Sequence, residues 1–335
     1  MMKKIVLKPS GKEIEVEDGQ TILSALEIAG YALPNNCRAG ACGECKAKIC
    51  SGEIDQGFVL DMALPQSERA QGMALTCMAK LQSDVVEIEY ATENALPKLF
   101  PPTENLRYIL TEKLQVTPSI VKLRMRTLGS VMKFWPGQHI TLGDETNGIP
   151  NRPYSIVNTP NLEGEIVLYV TKKEGGQTST WIHEKVEVGD MLKLNGPYGT
   201  FIGDPSIERP VLCLAAGSGL APIQSLATAA MLRGGFKQPA TILFSARTKE
   251  DLIDMGHFKF LDTKFRNFSY KYTLTKDEDQ EGLKGRIPEI LASVYPDLSD
   301  YSVYIAGSPN FVDSCVAEVK KLGTPEEFIN TESYV

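Results

Sequence analysis

Four cysteines, at positions 37, 42, 45 and 77, constrain this 335-residue chain more than any other feature. Cys37, Cys42 and Cys45 are separated by four and two residues, and 31 residues lie between Cys45 and Cys77. That is the spacing of a four-thiolate [2Fe-2S] site. A loop that folds its backbone N–H groups toward sulfide and thiolate has no room for bulky side chains, and Gly40, Ala41 and Gly43 are small where this matters. Arg38 and Lys46 are placed either to moderate the negative charge of such a cluster or to be solvated. A structural zinc site is the alternative, but zinc sites usually show two C-x-x-C knuckles and here the fourth cysteine stands alone. Cys50, Cys213 and Cys315 lie in apolar stretches and read as buried residues of strands and helices, not as ligands.

Composition and charge bound the rest. At 42% hydrophobic and 23% charged, the chain is long enough for two or three cores. Its net charge of -7 disfavours an electrostatic grip on nucleic-acid phosphates or acidic lipid. Near the start, Ile5, Val6 and Leu7 form an apolar run too short for a signal peptide, so the expected compartment is the reducing cytoplasm, where clustered thiols point to metal or catalysis. Val211 to Leu232 is 22 residues without a charge, but Gly217, Ser218, Gly219 and Pro222 interrupt it. A strand, a glycine turn and a helix account for it better than a membrane span.

Thr92 to Glu104 carries Pro97, Pro101 and Pro102 and reads as an extended linker. The chain is accordingly divided into 1–93, a linker at 94–103, a segment at 104–205 and a segment at 206–335. Up to residue 95 there are 9 basic and 14 acidic residues, a net of -5, which offers a long-range handle for a basic partner surface.

Lys4–Lys8 and Glu13–Glu17 read as strands joined by a Pro9-Ser10-Gly11 turn. Thr21–Ala29 reads as a helix, N-capped by Thr21 and closed by Gly30, that buries Ile22, Ala25, Leu26 and Ala29. Ile120–Met125, Gln138–Leu142 and Glu165–Thr171 predict strands of a small antiparallel barrel. From Pro210 onward, strands at Val211–Gly217, Ala240–Ala246 and Tyr301–Ala306 alternate with helices at Ala221–Arg233, Ile287–Val294 and Phe311–Leu322, the pattern of a parallel α/β sheet.

Several short motifs bear chemistry. Arg152-Pro153-Tyr154-Ser155 supplies a guanidinium for a diphosphate, a ring to stack on a flavin or adenine, and a hydroxyl. Gly175 and Gly176, followed by Gln177, Thr178, Ser179 and Thr180, lead into a short helix expected at Trp181, with backbone donors and hydroxyls for an anion. Gly196–Phe201 adds a glycine turn at the end of the barrel. Gly217, Ser218, Gly219, Leu220, Ala221 and Pro222 follow a strand and open a helix, where glycines allow a pyrophosphate to approach the helix N-terminus, although Pro222 replaces the third glycine of the full dinucleotide fingerprint.

Through CRAGACGEC and the LTC at 75–77, the N-terminal segment resembles the plant-type ferredoxin domain, a β-grasp (α+β) fold. RPYS, GGQTST, GPYGTF, GSGLAP and Ala306-Gly307-Ser308-Pro309 occur in the order that resembles the ferredoxin-NADP reductase superfamily. The whole chain is thereby similar to the reductase components of bacterial multicomponent oxygenases. The resemblance implies a multidomain protein: a β-grasp ferredoxin, an antiparallel Greek-key β-barrel for FAD and an α/β parallel-sheet domain for NAD(P). It implies Cys37, Cys42, Cys45 and Cys77 as cluster ligands. Arg152, Pro153, Tyr154, Ser155, Gly176, Gln177, Thr178, Ser179 and Tyr334 would bind FAD. Gly217–Pro222, Ser245, Arg247, Gly307, Ser308, Pro309 and Phe311 would bind the nicotinamide nucleotide.

No side-chain acid, base or nucleophile is required; the hydride path is expected near Ser155, Ala306, Glu332 and Tyr334, and His139, His183 and His257 have no assigned role. Many relatives carry Cys where this chain has Ala306. The expected function is transfer of electrons from NADH, with NADPH as the alternative, through FAD and the [2Fe-2S] cluster to a separate oxygenase, a ring-hydroxylating dioxygenase or diiron monooxygenase, or to its ferredoxin. A reductase of CDP-6-deoxy-sugar biosynthesis feeding a dehydratase has the same domain order. A zinc-containing module that senses NAD(P)H is the alternative of a different class.

Overall fold

The computed structural model describes residues 3–35, 38–41, 43–90, 98–204, 206–276 and 282–334. Cys37, Cys42, the linker residues 94–97 and the segment limit at 205 lie outside the described residues. The chain forms two compact units, Met1–Thr103 with Gly196–Thr200, and Glu104–Asn195 with Phe201–Val335.

In the first unit, β1 (Lys3–Lys8) and β2 (Lys12–Val16) form the expected hairpin, and α1 (Ile22–Ile28) follows. Thr21 caps α1 by accepting from the Ser24 N–H at 3.2 Å, and Gly30 turns the chain away in the left-handed region at φ +81°. Ile22, Ala25 and Leu26 are buried as predicted, together with Leu23, while Ala29 is half-buried. Next come β3 (Lys46–Ser51), β4 (Ile54–Asp55), α2 (Gln66–Ala70), β5 (Met73–Leu75), β6 (Lys80–Leu81) and β7 (Val85–Glu89). The main sheet has the order β2-β1-β7-β3-β5, with β1 and β7 parallel and the β1–β2, β3–β7 and β3–β5 pairs antiparallel. Cys50 corrects the sequence reading: it lies in β3 but is exposed. Along β3, Ala47 faces inward and Lys48 outward, and period-two alternation turns Cys50 to the solvent side with Lys48.

The second unit contains two layers of architecture. Strands β8 (Thr103–Thr117), β9 (Ile120–Thr127), β10 (His139–Asp144), β11 (Ile149–Ser155) and β12 (Glu165–Thr171), helix α3 (Gln177–Glu184) and strand β13 (Met191–Tyr198) come first. The sheet order is β11-β10-β13-β8-β9-β12, and an Ile156–Leu168 antiparallel bridge joins its two edges into a barrel. Helix α3 begins at Gln177, four residues before the predicted start.

The rest is a six-stranded parallel sheet, built from β14 (Val211–Ala216), α4 (Leu220–Leu232), β15 (Ala240–Ala246), α5 (Met255–Lys264), β16 (Phe268–Leu274), β17 (Leu283–Lys284), α6 (Ile287–Val294), β18 (Ser302–Gly307), α7 (Pro309–Lys321) and β19 (Ile329–Ser333). The order β17-β16-β15-β14-β18-β19 reverses at β14. The uncharged stretch 211–232 is thus a six-residue strand, a turn and a 13-residue helix, and among the described residues no helix is long and apolar enough to cross a membrane.

One glycine fixes how the barrel meets the chain that leaves it. Gly137 sits at φ +95°, and a Cβ there would lie 1.9 Å from the Phe201 carbonyl oxygen. Gly148 shares a left-handed backbone (φ +75°) but faces open space. Gly137→Ala should therefore destabilise this unit by roughly 2–4 kcal/mol, the left-handed penalty plus overpacking. Gly148→Ala should cost about 1 kcal/mol. Denaturant unfolding of the two variants checks the difference; equal losses would contradict it.

Candidate functional site

The reversal at β14 organises the site. Strands on either side of such a point send their following loops in opposite directions and leave a crevice beyond their C-terminal ends. β14 pairs in parallel with β18, Ala215 opposite Ala306. The loops leaving these two ends are Gly217–Gly219 and Gly307–Ser308, so the structure brings the two predicted nucleotide motifs together. The approach admits no side chain: a Cβ on Gly219 would lie 2.2 Å from the Ala306 carbonyl oxygen. Helix α4 starts at Leu220, and Pro222 lies in its first turn, where its missing N–H costs no helical hydrogen bond.

β19 extends the sheet and carries the C-terminal residues to the same place. Ala306 pairs with Glu332 and Gly307 with Ser333, and the Tyr334 N–H donates to Gly307 O at 2.9 Å. Ser155, the last residue of β11, donates to Glu332 Oε2 at 3.1 Å and lies 2.9 Å from the Tyr334 hydroxyl, which itself donates to Glu332 Oε2 at 3.1 Å. Ser155, Ala306, Glu332 and Tyr334, separate in sequence, are therefore neighbours.

Burial pushes the Glu332 carboxyl up to about 7, against the lowering effect of the Tyr334 and Ser155 hydroxyls. Burial and the nearby Glu332 push the Tyr334 hydroxyl well above its ordinary value. Sequence reasoning missed His139: it pairs across the strands with Ser155, is buried, and holds Nδ1 3.8 Å from Glu332 Oε1. Its position on the inward face of β10, in register with the RPYS strand, was the available signal.

The rest of RPYS lines β11. Arg152 is exposed and, among the described residues, forms no ion pair; it donates to Asn151 O at 3.3 Å. Pro153 and Tyr154 are half-buried, and burial raises the Tyr154 hydroxyl. The N-terminus of α3 lies beside this strand, since Thr178 Oγ1 donates to Pro150 O at 2.6 Å. Ser179 Oγ accepts from the Lys173 N–H at 3.1 Å, and a Cβ on Gly176 would meet that oxygen at 2.7 Å. The first N–H groups of an eight-residue helix and the Arg152 guanidinium make a donor set suited to a diphosphate.

At the end of β15, Ser245 is half-buried while Arg247 and Lys249 are exposed. The charges that follow open a 3-10 turn at Lys249–Asp251, not an α-helix, and Asp251 accepts from the Thr248 N–H and hydroxyl at 3.1 Å each.

In the first unit, the antiparallel pair Lys46–Leu75 brings Cys45, just before β3, and Cys77, just after β5, to the same end of the sheet, both buried. Thr76 fastens them together, donating its N–H and hydroxyl to Cys45 O at 3.0 and 2.9 Å. The open N-terminus of α1 holds the same segment through Ile22 N–H to Ala79 O and Leu23 N–H to Thr76 O. A Cβ on Gly40 would lie 2.8 Å from Phe58 O, and one on Gly43 3.0 Å from Ala63 O, so the loop must be small there. Two buried sulfurs beside such a loop fit an iron-sulfur cluster. Arg38 and Lys46 are not simply solvated: Arg38 pairs with buried Glu27 at 2.6 Å and Lys46 with Glu68 at 2.7 Å.

Comparison with known proteins agrees with this geometry. Residues 5–82 match the 2Fe-2S iron-sulfur cluster binding domain, 107–202 the oxidoreductase FAD-binding domain and 213–317 the oxidoreductase NAD-binding domain. The chain is 32% identical over 321 residues to the reductase component DmpP of phenol 2-monooxygenase from Pseudomonas sp. (strain CF600), covering 94% of this chain and 90% of that protein. It is 31% identical to the phenol hydroxylase P5 protein of Acinetobacter pittii (strain PHEA-2), covering 100% and 95%. The crystal structure of the Amycolatopsis cytochrome P450 reductase GcoB superposes with a TM-score of 0.88 at 25% identity, covering 99% of this chain and 98% of that one. The chain belongs to the reductase components of multicomponent oxygenases, NAD(P)H-dependent flavin and iron-sulfur oxidoreductases that pass electrons to a separate oxygenase component.

Proposed function

We propose that this chain is a cytoplasmic, NADH-dependent reductase that supplies a hydroxylase component, with the residue roles that follow. The reading rests above all on the meeting of Ser155, Glu332 and Tyr334 beside Ala306. Cys37, Cys42, Cys45 and Cys77 hold the cluster within a ferredoxin domain of residues 1–93; residues 94–103 link it to an FAD domain at 104–205 and a nucleotide domain at 206–335. FAD, when bound, supplies a carrier that takes two electrons together and releases them singly. Arg152 and the first N–H groups of α3, with Thr178 and Ser179, would bind its diphosphate; Tyr154 and Tyr334 would pack against its ring system, and Ser155 would offer it a hydroxyl. Glu332 holds Ser155 and Tyr334 in place and keeps a proton near neutral pH. Gly217–Pro222 and Gly307–Phe311 cradle the nicotinamide nucleotide at the α4 N-terminus, and Ala306 presents a small side chain next to Glu332. The relatives reported above are named for phenol hydroxylation or a cytochrome P450, which supports the oxygenase reading over a dehydratase, and this chain's own matches to iron-sulfur, FAD and NAD domains favour the reductase over a zinc-containing sensor.

A preference for NADH follows from the turn after β15. Arg247 and Lys249 are offset by Glu250 at the position where a 2′-phosphate would lie, while Asp251 is committed to Thr248. Steady-state kcat/KM should be roughly fivefold higher with NADH. A tenfold or greater preference for NADPH that is abolished in Arg247→Ala would overturn this.

Glu332 makes stability depend on pH. Its pKa in the fold, about 7, lies above the ordinary carboxylate value, so the folded protein retains a proton that the unfolded chain has released. The stabilisation from that proton is complete below about pH 4 and is lost as pH rises to about 7. The melting midpoint of Glu332→Gln should therefore gain on the wild type across that range and level off above it. A difference that is constant with pH would contradict the assignment.

A further inference from the structure

A polar cluster in the second unit joins the barrel to the α/β sheet and is used by none of the roles above. Tyr169 on β12 and Lys122 on β9 are direct cross-strand partners. The Tyr169 hydroxyl shares its one proton between Gln224 Oε1 on α4, at 2.9 Å, and Asp254 Oδ2, just before α5. Lys122 Nζ reaches both Asp254 oxygens, at 2.9 and 3.2 Å, and Gln224 Nε2 donates to the same carboxylate at 3.2 Å. Tyr169 and Gln224 are buried. Burial works to raise the Asp254 carboxyl, but hydrogen bonds from Tyr169, Lys122 and Gln224 outweigh it and keep the group below its usual value. Asp254 sits in the left-handed region at φ +46°, a conformation unfavourable for a side chain with a Cβ and retained here by its partners.

The cluster has a direction. Residues two apart on a strand share a face, so Tyr169 and Thr171 point the same way. Tyr169 grips Gln224 in the second turn of α4, and Thr171 Oγ1 lies 2.9 Å from Ser218 Oγ in the glycine loop that precedes the helix. The next helix residue, Ser225, donates to Asn158 O at 2.8 Å in the segment between β11 and β12. An apolar seam tolerates small slides, whereas a half-buried carboxylate held by three donor groups from three different elements has one arrangement in which all of them reach it.

We propose that Tyr169 and Asp254 are positioning residues for hydride transfer. Their network locks α4 on β12, and thereby sets the distance between the Gly217–Gly219 loop and the Ser155–Glu332 cluster. The proposal rests on the reading that this loop holds the nicotinamide nucleotide. Reactive geometry is sensitive to displacements of about 1 Å, so loosening the lock should slow transfer without weakening binding.

The test is single-turnover flavin reduction by NADH in the holoenzyme carrying Tyr169→Phe, Asp254→Asn or both, with amide exchange measured on the same proteins without nucleotide. Each single variant should lower the limiting reduction rate about ten- to a hundredfold with the apparent Kd for NADH within about twofold, and the double variant should be little worse than either. Exchange at residues 217–224 should accelerate. Lys321→Gln, on an exposed ion pair of α7, should change neither. A lowered melting midpoint or faster exchange with an unchanged reduction rate would overturn the proposal, as would a loss confined to Kd. If Gly219→Val leaves NADH binding intact, the reading of the loop fails instead, and the exchange result identifies that case separately.

Discussion

The close pairing of β14 with β18 is the constraint on which the second unit depends. Because the strand order reverses there, two glycine loops leave the sheet side by side, and the contact is tight enough that Gly219 has no room for a Cβ against the Ala306 carbonyl. β18 in turn templates β19, and that pairing carries Glu332 and Tyr334 to Ser155 at the end of a barrel strand. The last residues described are thus part of the site and not a frayed end. Altering the β14–β18 spacing would shift the two glycine loops and the Ser155 cluster together.

The first unit solves a separate problem by similar means. An antiparallel pair brings two cysteines 32 positions apart in sequence to one end of a sheet, and the unpaired N–H groups at the start of α1 hold the segment that carries the second. The division into modules has a chemical reason. A hydride carries two electrons and an iron-sulfur cluster accepts one, so a two-electron carrier must lie between donor and cluster.

Much of this was legible in the sequence because it is local. β15 and α6 run over the predicted residues, and α1 carries the predicted cap, since alternation, helical spacing and turn residues are properties of short windows. Among the elements that escaped are β8, α5, β16 and β19. β8 lies inside its sheet but carries exposed charged and polar side chains and buries only Tyr108, Leu110 and Thr117, so its alternation is diluted, and α5 buries little more than Phe258 and Leu261. β16 interrupts its aromatic run with exposed Lys271, and β19 has a single buried residue, Glu332. Cys50 was misread because an apolar neighbourhood does not reveal which face of a strand a residue occupies. His139 and the Tyr169–Asp254 network were illegible for another reason: their partners lie 193 and 85 positions away, and only the folded register brings them together.

In the proposed route electrons leave through the cluster and not directly from the flavin. Replacing buried Cys77, proposed as a cluster ligand, and following two acceptors with NADH as donor tests this: ferricyanide, expected to be reduced by the flavin module, and cytochrome c, expected to require the cluster. In Cys77→Ser, ferricyanide reduction should stay within about twofold of the wild type while cytochrome c reduction falls at least about a hundredfold. Undiminished cytochrome c reduction in a variant shown to lack its cluster would contradict the account.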